Sequence, residues 1–456
     1  IMRTLIRGTA LAAIVLCPVL FSCENWNQPI KSEIEYYLTL VPVDTWEQVR
    51  ETAANAEPGY TILVLNDIEA SGDPVVIDGK ALTITGRGRK TISRNAAFFD
   101  SFFVVENGGS LTIGNSRGSL VLDGNKDAFL TSPSYPTSLI TVNEGNLVLN
   151  NSTLRNNICN SMGGGVYFDC PVNSSGFFTM NNSAIRENTA ELKVGGISLG
   201  ARGGGVFFKC SGNGSFTMNN SVIAGNIIES GAGGGVYFLC DGTGRFVMTD
   251  SKIEDNHAAL PNRAGGEGGG VSFFNTGQGS FTMNNSVIQN NTGFVYGGGV
   301  GLTSIARDGS TASAAFIMNS GTISGNAASV SGGGVYVYSS AFDSAAGDDS
   351  TASAVFTMNG GTISGNTAVD SGGSASGGGG VYFGKFGDGS SIAFTKEPGG
   401  LIYGKNEDEK SNLVKDGSGA PLDGQGHAVY FEDGPRIRDN TAGKTVSFDG
   451  TWSDES

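Results

Sequence analysis

Three features of the sequence predict a right-handed parallel β-helix, an all-β solenoid of about eleven coils with an N-terminal capping helix. One block of residues recurs at intervals that range from 30 residues (Met218 to Met248) to 40 (Met318 to Met358). Apolar and polar residues alternate within each block, which indicates strands rather than helices. Glycine accounts for 72 of the 456 residues without a collagen period, which is typical of a chain that turns often.

Each coil is predicted to contain three short strands. The first follows three glycines, and in one copy Val166, Phe168 and Cys170 share a face opposite Tyr167 and Asp169. The second strand carries Phe and Met, and the third is centred on an Ile five residues after that Met. We expect the apolar set to point inward, because polar or charged residues flank it. These positions recur at Met180 and Ile185, Met218 and Ile223, Met248 and Ile253, Met283 and Ile288, Met318 and Ile323, and Met358 and Ile363.

An asparagine follows each of these apolar positions by three residues. Asn tolerates positive φ at a corner, and a buried amide can bond to the turn of the next coil. We therefore expect a structural amide ladder of Asn157, Asn188, Asn226, Asn256, Asn291, Asn326 and Asn366.

Residues 1–22 are predicted to be a lipoprotein signal peptide, and residues 23–35 a polar tether. Arg3 and Arg7 precede an apolar run that is too short to span a bilayer. The run ends at Leu20-Phe21-Ser22-Cys23, which resembles the bacterial lipobox. The resemblance implies cleavage before Cys23 and a diacylglycerol on its sulfur, which would anchor the protein to a membrane. A secretory signal without a lipid is the alternative.

Residues 36–138 are predicted to form an N-terminal cap and the first irregular coils. A helix is expected at 44–57, with Asp44 as its N-cap and Trp46, Val49 and Ala53 over the open end of the solenoid. Residues 139–384 contain the regular repeats. Residues 385–456 are predicted to form degenerate coils and a C-terminal cap, in which Phe394 and Ile402 restore the pattern with one residue inserted and Ile437 belongs to a last coil.

The repeats resemble those of the chlamydial-type polymorphic outer membrane proteins, which pair a Gly-Gly-aliphatic motif with Phe-x-x-Asn. The first motif is present at Gly164-Gly165-Val166 and Gly234-Gly235-Val236, and the second at 178–181, 216–219, 281–284, 316–319 and 356–359. The resemblance implies a surface-exposed protein with an adhesive or immune-facing role. Those family members end in a run of amphipathic membrane strands that this sequence does not show, so we expect the lipid to be the anchor.

Enzymes of the pectin-lyase-like fold are the main alternative, because lyases and polygalacturonases also use parallel β-helices. Such enzymes need clustered carboxylates. The nearest pattern is Asp348-Asp349, then Gly426-His427, then Arg436 to Arg438, in the order found in polygalacturonases. Ala428 replaces a glycine of that motif, so we interpret the pattern as chance. We expect no catalytic residue, no cofactor and no metal site, and the only other histidine is His257.

Cys170, Cys210 and Cys240 occupy one inward position in three successive coils. Adjacent rungs lie close enough to consider a disulfide, but a stack of reduced thiols also packs well and is favoured here. Cys159 is expected in a loop. A metal site is not expected, because the stack is linear rather than tetrahedral.

Two surfaces are candidates for ligand binding. The first is a stripe of outward aromatic residues that could stack on a ligand or merely on one another; it contains Tyr167, Phe207, Tyr237, Tyr336, Tyr382 and Tyr430, with breaks at Ser272 and Gly301. The second is a ridge formed by two nearly duplicated corner loops, 301–315 and 338–355. Those loops carry Arg307, Asp308, Asp348 and Asp349.

The formal net charge of −15 argues against a nucleic-acid partner, since a basic stripe is absent. We therefore expect a lipid-anchored protein of the cell envelope, in the outer membrane and exposed at the surface. Its function would be that of a non-catalytic binding protein or adhesin for a glycan or a host protein. A carbohydrate-active enzyme and a structural spacer are the alternatives.

Overall fold

The chain forms a right-handed parallel β-helix, as the sequence predicts. The computed structural model describes residues 36–432 except 58, 131, 133, 192, 195–196, 199, 259–267, 344–348, 371–376 and 423, together with the strands at 436–438 and 446–447. The signal peptide, the tether with Cys23, and Asp348 lie outside the described residues. Nearly all strands pair in parallel and in register with the same strand of the next coil, and 32 strands belong to one continuous sheet.

Three strands of each coil stack on their counterparts, and we name them the glycine, methionine and isoleucine strands after the residues that identify them. The glycine strands are Val75–Asp78, the first part of Phe103–Ile113 and of Ile140–Asn150, Val166–Cys170, Val206–Cys210, Val236–Cys240, Val271–Asn275, Val300–Arg307, Val335–Phe342, Val381–Phe386 and Val429–Phe431. The described residues thus contain eleven glycine strands, which confirms the expected number of coils.

The other two strands of each coil follow in the same order along the chain. The methionine strands are Leu40–Val43, Thr61–Val64, Ala81–Gly86, the last part of Phe103–Ile113 and of Ile140–Asn150, Ser175–Asn181, Asn213–Asn219, Thr243–Thr249, Gln278–Asn284, Thr311–Met318, and the first part of Thr351–Ser364 and of Ser390–Ile402. The isoleucine strands are Ile68–Ala70, Arg89–Arg94, Ser119–Asp123, Thr153–Arg155, Ala184–Arg186, Val222–Ala224, Lys252–Glu254, Ser286–Gln289, Gly321–Ser324, and the last part of Thr351–Ser364 and of Ser390–Ile402.

A fourth, two- to four-residue strand follows the asparagine in eight coils, so the expectation of three strands is incomplete. These short strands form a separate parallel sheet. They are Ile158–Cys159, Thr189–Ala190, Ile227–Ile228, His257–Ala258, Thr292–Gly293, Ala327–Ala328, Thr367–Asp370 and Leu413–Asp416. Cys159 therefore lies in a strand and not in a loop, and it is fully buried against Ala190. Two residues are too few to indicate a strand in the sequence. This strand forms because it pairs with Thr189–Ala190 of the next coil.

The core consists of columns of identical side chains. Phe178 and Phe216 stack with ring centroids 4.6 Å apart, and the column continues through Phe246, Phe281, Phe316 and Phe356. A second column on the glycine strands begins with Phe168 and Phe208, whose rings are 4.5 Å apart. These spacings follow from the strand separation of about 4.8 Å. The predicted inward Met and Ile residues are likewise fully buried.

The N-terminal end is closed by helix α1, Trp46–Asn55, whose Trp46, Val49 and Ala53 are buried as predicted. The indole ring of Trp46 packs 5.7 Å from the ring of Phe103. Asp44 is not the N-cap: the Thr45 hydroxyl accepts the hydrogen bond from the Gln48 amide instead. The carboxylate of Asp44 is engaged elsewhere, because it accepts a hydrogen bond from the Asn66 side chain.

The opposite end is closed by antiparallel strands. Arg436–Arg438 pairs with Val429–Phe431, and Val446–Ser447 pairs with the strand that contains Lys396. Ile437 lies opposite Tyr430 in the first of these pairs, so its assignment to an isoleucine strand of a last coil is wrong. The inserted residue before Ile402 is confirmed by a register shift after Met358. Two short 3₁₀ helices, Lys126–Phe129 and Asp408–Lys410, lie in connections.

Candidate binding surfaces

The predicted ridge is present, but strands rather than loops build it. Val300–Arg307 and Val335–Phe342 extend the glycine strands and pair over their full length, and Thr311–Met318 pairs with Thr351–Ser364. Between the two extended layers lies a small core of Ala306, Ala312, Ala341 and Ala352. We use "ridge" for residues 303–313, 338–343, 349–353 and 384–391, which belong to three adjacent coils.

The outer end of the ridge carries a row of exposed aromatic rings. The side chains of Phe342 and Phe386 are 37% and 57% exposed, and their ring centroids are 5.3 Å apart. The guanidinium carbon of Arg307 lies 5.1 Å from the centre of the Phe342 ring. Three coils thus contribute one residue each to a row that combines two apolar faces with a cation.

Acidic residues stand next to this row in the sequence. Asp308 occupies the turn of the ridge with a positive φ of 53°, and its amide donates to the Phe342 carbonyl over 3.2 Å. Asp349 is exposed, and the Asp343 carboxylate accepts a hydrogen bond from the Ser350 amide. Arg307, Asp308 and Asp349, which the sequence analysis names as candidates, lie on the ridge, and their role in binding stays a prediction. The sequence analysis did not name Phe342 or Phe386, although an aromatic residue among Ser, Ala and Asp at Phe342, and among Gly, Lys and Asp at Phe386, is a visible signal.

The aromatic stripe consists of two stacks separated at Ser272, and it is mostly covered. The rings of Phe207, Tyr237, Tyr336 and Tyr382 are between 2% and 5% exposed, and Tyr167 at the end of the stripe is half-buried. Neighbouring rings stack, with centroids 5.3 Å apart for Tyr167 and Phe207. These contacts correspond to the cross-rung packing that the sequence left as the alternative to ligand binding. The binding role of the stripe stays a prediction.

Residues from the connections cover the stripe. The guanidinium group of Arg202 lies 5.1 Å from the centre of the Tyr237 ring, and the ring of Tyr296 stacks on that of Tyr336 at 4.5 Å. Tyr296 fills the break that Gly301 leaves, a role that nothing in the repeat pattern indicates. At the far end the Tyr382 hydroxyl donates to Glu432 over 2.6 Å. Burial, and then this hydrogen bond, raises the pKa of Tyr382.

Of the residues that imitate a polygalacturonase, the strand Arg436–Arg438 pairs with the strand that follows His427, whereas His427 and Asp349 lie apart. His427 is fully buried, and its Nδ1 accepts a hydrogen bond from the Val414 amide. His427 lies just before a glycine strand, whereas the exposed Asp349 lies just before a methionine strand. The two residues are therefore at opposite ends of the face that the glycine strands form. Among the described residues, no group of three or more His, Cys, Asp or Glu side chains is placed to hold a metal ion.

A serine ladder, which the sequence analysis did not single out, runs beside the predicted asparagine ladder. The Ser183 hydroxyl accepts a hydrogen bond from the Ser152 amide, and the Ser221 hydroxyl from the Ser183 amide, over 3.2 and 3.1 Å. The signal is visible in the sequence, because a Ser precedes the inward Ile by two residues in four successive coils. These buried side chains complete the corner between methionine and isoleucine strands.

Comparison with known proteins adds no identification: neither a protein-family model nor a curated protein matches the chain. In the described part of the chain, no helix has the length and the apolar character needed to cross a membrane. The resemblance to polymorphic outer membrane proteins therefore stays an expectation.

Proposed function

We propose that the protein is a lipid-anchored β-helix of the cell envelope that binds a ligand through the outer end of the ridge, without catalysis. The observation that carries this proposal is the exposed row of Arg307, Phe342 and Phe386. Aromatic faces stack on the CH faces of sugars or on partner side chains, and a guanidinium group donates paired hydrogen bonds to carboxylates. The ligand class that fits is a glycan or a protein of a host surface.

Rigid presentation supports the same proposal. Strands hold the three residues, and the Thr311 and Thr351 hydroxyl groups are 3.1 Å apart across adjacent coils. A binding group held by strands loses less conformational entropy when the ligand binds than one on a free loop. The spacer hypothesis predicts no such exposed row, whereas an adhesin requires one.

The test is a double substitution, Phe342→Ser with Phe386→Ser, in the full chain. Binding to a glycan array and to host cells should fall at least tenfold while the melting temperature changes little. Phe177→Ser is the matched control, because that ring is 43% exposed on a coil outside the ridge. Equal binding by the double variant and the control would contradict the proposal. Failure of all forms to bind glycans and cells would favour the spacer hypothesis.

The proposed location has its own test. Protease treatment of intact cells, with and without permeabilisation of the outer membrane, should remove the ridge from intact cells. Cys23→Ser should release the protein from the membrane fraction if a lipid on that residue is the anchor. Protection until permeabilisation would contradict surface exposure and would leave a role inside the envelope.

A further inference from the structure

The methionine strands of five successive coils present a flat surface to solvent, which we call the methionine face. It begins with Asn213–Asn219, after the strand that carries the exposed ring of Phe177, and ends with the first part of Thr351–Ser364. The strands pair in register, and their outward side chains are half-buried or exposed. In the first strand the outward residues are Asn213, Ser215, Thr217 and Asn219. Four columns of side chains therefore run along the rod.

The described connections leave the methionine face uncovered. The turns beside it are short, as at 211–212 before Asn213 and at 220–221 after Asn219. Longer connections precede the glycine strands instead, and from them Arg202 and Tyr296 contact the aromatic stripe. A long ligand can therefore lie along several coils without displacing a described residue.

The third outward column consists entirely of β-branched residues. Thr, Val and Ile all carry a methyl group on the β-carbon, so each coil adds one methyl group at the same place. The column repeats at the strand separation of about 4.8 Å and forms a narrow apolar strip parallel to the rod axis. Its members are Thr217, Val247, Thr282, Ile317 and Thr357.

A row of amides runs beside this strip. The Asn319 side-chain nitrogen donates to the Asn284 side-chain oxygen, and that of Asn359 donates to Asn319, both over 2.8 Å. Asn284 in turn donates to the Thr249 hydroxyl over 3.4 Å. An amide in the middle of such a row, as at Asn319, uses one of its two N–H groups and one of its two oxygen lone pairs. Each such rung therefore keeps one donor and one acceptor for water or for a ligand.

The charge of the methionine face limits the partners that fit it. Arg245 is the one charged residue among the outward positions of these five described strands, and none of those positions holds an aromatic residue. A charged polymer therefore finds little opposite charge, and the face lacks the aromatic anchors of a protein interface. A second copy of the chain would bring another net charge of −15 toward the first. An uncharged ligand with many hydroxyl groups meets none of these obstacles.

We propose that the methionine face binds an extended, uncharged polysaccharide chain that lies along the rod. The sugar rings of such a chain have apolar C–H faces, and the hydroxyl groups at their edges both donate and accept hydrogen bonds. The rings lie on the strip of methyl groups, and the hydroxyl groups bond to the amide row. Each rung contributes little, so affinity comes from many rungs that engage one polymer at once. This site is separate from the row of Arg307, Phe342 and Phe386.

The test places two carboxylates on the strip with Thr217→Glu and Thr282→Glu in the full chain. Val222→Glu with Val287→Glu is the matched control, because these residues lie outward on isoleucine strands of the same coils, on either side of Lys252. Co-sedimentation with cellulose, insoluble chitin and insoluble β-1,3-glucan measures binding, and polygalacturonate beads are the charged probe. The wild type and the control should bind at least one neutral polymer and not polygalacturonate. The strip variant should bind that polymer at least tenfold more weakly, and the matching disaccharide should not compete.

Four results would overturn the proposal. They are equal binding of the neutral polymer by the two Glu variants, binding of none of the three neutral polymers by the wild type, preferential binding of polygalacturonate, and a dimer of the wild type that the strip variant abolishes. Loss of polymer binding in Phe342→Ser with Phe386→Ser, but not in the strip variant, would assign the polymer to the ridge, so the two sites are tested apart. If the strip variant does not fold, Gln at the same two positions adds similar bulk without charge, with Gln at the two control positions.

Discussion

At the scale of single residues, buried asparagines fasten each coil to the next. The Asn256 amide nitrogen donates to the Ile223 carbonyl and to the Asn291 side-chain oxygen, both over 3.0 Å. Its oxygen in turn accepts from the backbone and side-chain nitrogens of Asn226. The sequence predicted this ladder up to Asn366. The structure extends it to Asn412, which was not predicted because it does not follow its isoleucine, Ile402, at the three-residue spacing of the repeat.

Asn256→Ala should lower the free energy of unfolding by about 3 kcal/mol, because several buried groups lose their partners at about 1–3 kcal/mol each. The midpoint of urea unfolding measures this loss. Asn319→Ala is the matched control, since its amide also donates to the preceding coil, at Asn284, but is exposed to water, which replaces the bond. Equal losses for the two variants would show that burial of the ladder contributes little.

The thiol of Cys210 should resist alkylation in the folded protein. The thiol of Cys170 lowers its pKa, but the thiol of Cys240 and burial outweigh that effect and raise the pKa to about 12. At pH 8 the reactive thiolate is then roughly one part in ten thousand, against about a quarter in an unfolded chain with a pKa near 8.5. The unfolded chain loses this proton first, so the contribution to stability falls as the pH rises above about 8.5.

Iodoacetamide labelling followed by peptide mass spectrometry checks this prediction. Native protein at pH 8 should show almost no label on Cys210, and protein in urea should be labelled fully. Labelling of the native thiol at the rate of the unfolded one would mean that the corner over this thiol opens readily.

At the scale of elements, helix α1 protects the first open edge of the sheet. Trp46 is its centre: the indole ring packs against Phe98, Phe102 and Phe103, and the indole nitrogen donates to the Asp73 carbonyl over 3.1 Å. Behind this cluster the fully buried Arg94 donates to the Phe98 carbonyl over 3.0 Å. Burial lowers the pKa of Arg94 to about 10. The cap is thus a packed unit rather than a loose cover.

Trp46→Ala should destabilise the cap by about 3–5 kcal/mol, the usual cost of removing a large aromatic side chain from a core. The exposed edge would then template association between chains. Size-exclusion chromatography after mild heating should show oligomers of this variant and monomers of Glu51→Ala, which changes the solvent face of the same helix. Identical elution of both variants would mean that the edge is protected in another way.

The ridge shows why some elements escaped prediction. Its residues are mainly Ser, Ala, Asp and Gly, a composition that is typical of turns, and the sequence therefore indicated loops. The strands form because the preceding coil offers a complete row of backbone partners, as between 303–307 and 338–342. The alternation of buried Ala312 and Ala314 with polar residues could have been recognised as a strand pattern in the sequence. The stability that such a strand gains by pairing with the neighbouring coil depends on tertiary structure and is not visible in the sequence.

At the scale of the whole molecule, repetition made the fold predictable and the ends less so. Every regular coil repeats the same inward residues, so one correct register fixes all the others. The C-terminal cap departs from the repeat, and Ile437 was assigned wrongly because its local sequence imitates a coil. The candidate ligand-binding residues also divide into repeated and non-repeated positions. Repeated positions such as Tyr336 are buried by packing, whereas Phe342 and Phe386, which are not part of the repeat, are exposed.

A molecule built from stacked coils should transmit the effect of a substitution only to its neighbours. Asn188→Ala with Asn366→Ala affects rungs five coils apart, about 24 Å at about 4.8 Å per coil, and the two losses in stability should add within about 0.5 kcal/mol. Asn256→Ala with Asn291→Ala should lose about 1 kcal/mol less than the sum, because either single variant already breaks the bond of 3.0 Å that the two side chains share. Urea unfolding of the four single and two double variants measures both couplings. Equal coupling in the two pairs would mean that the solenoid unfolds as one unit in which distance along the rod is irrelevant.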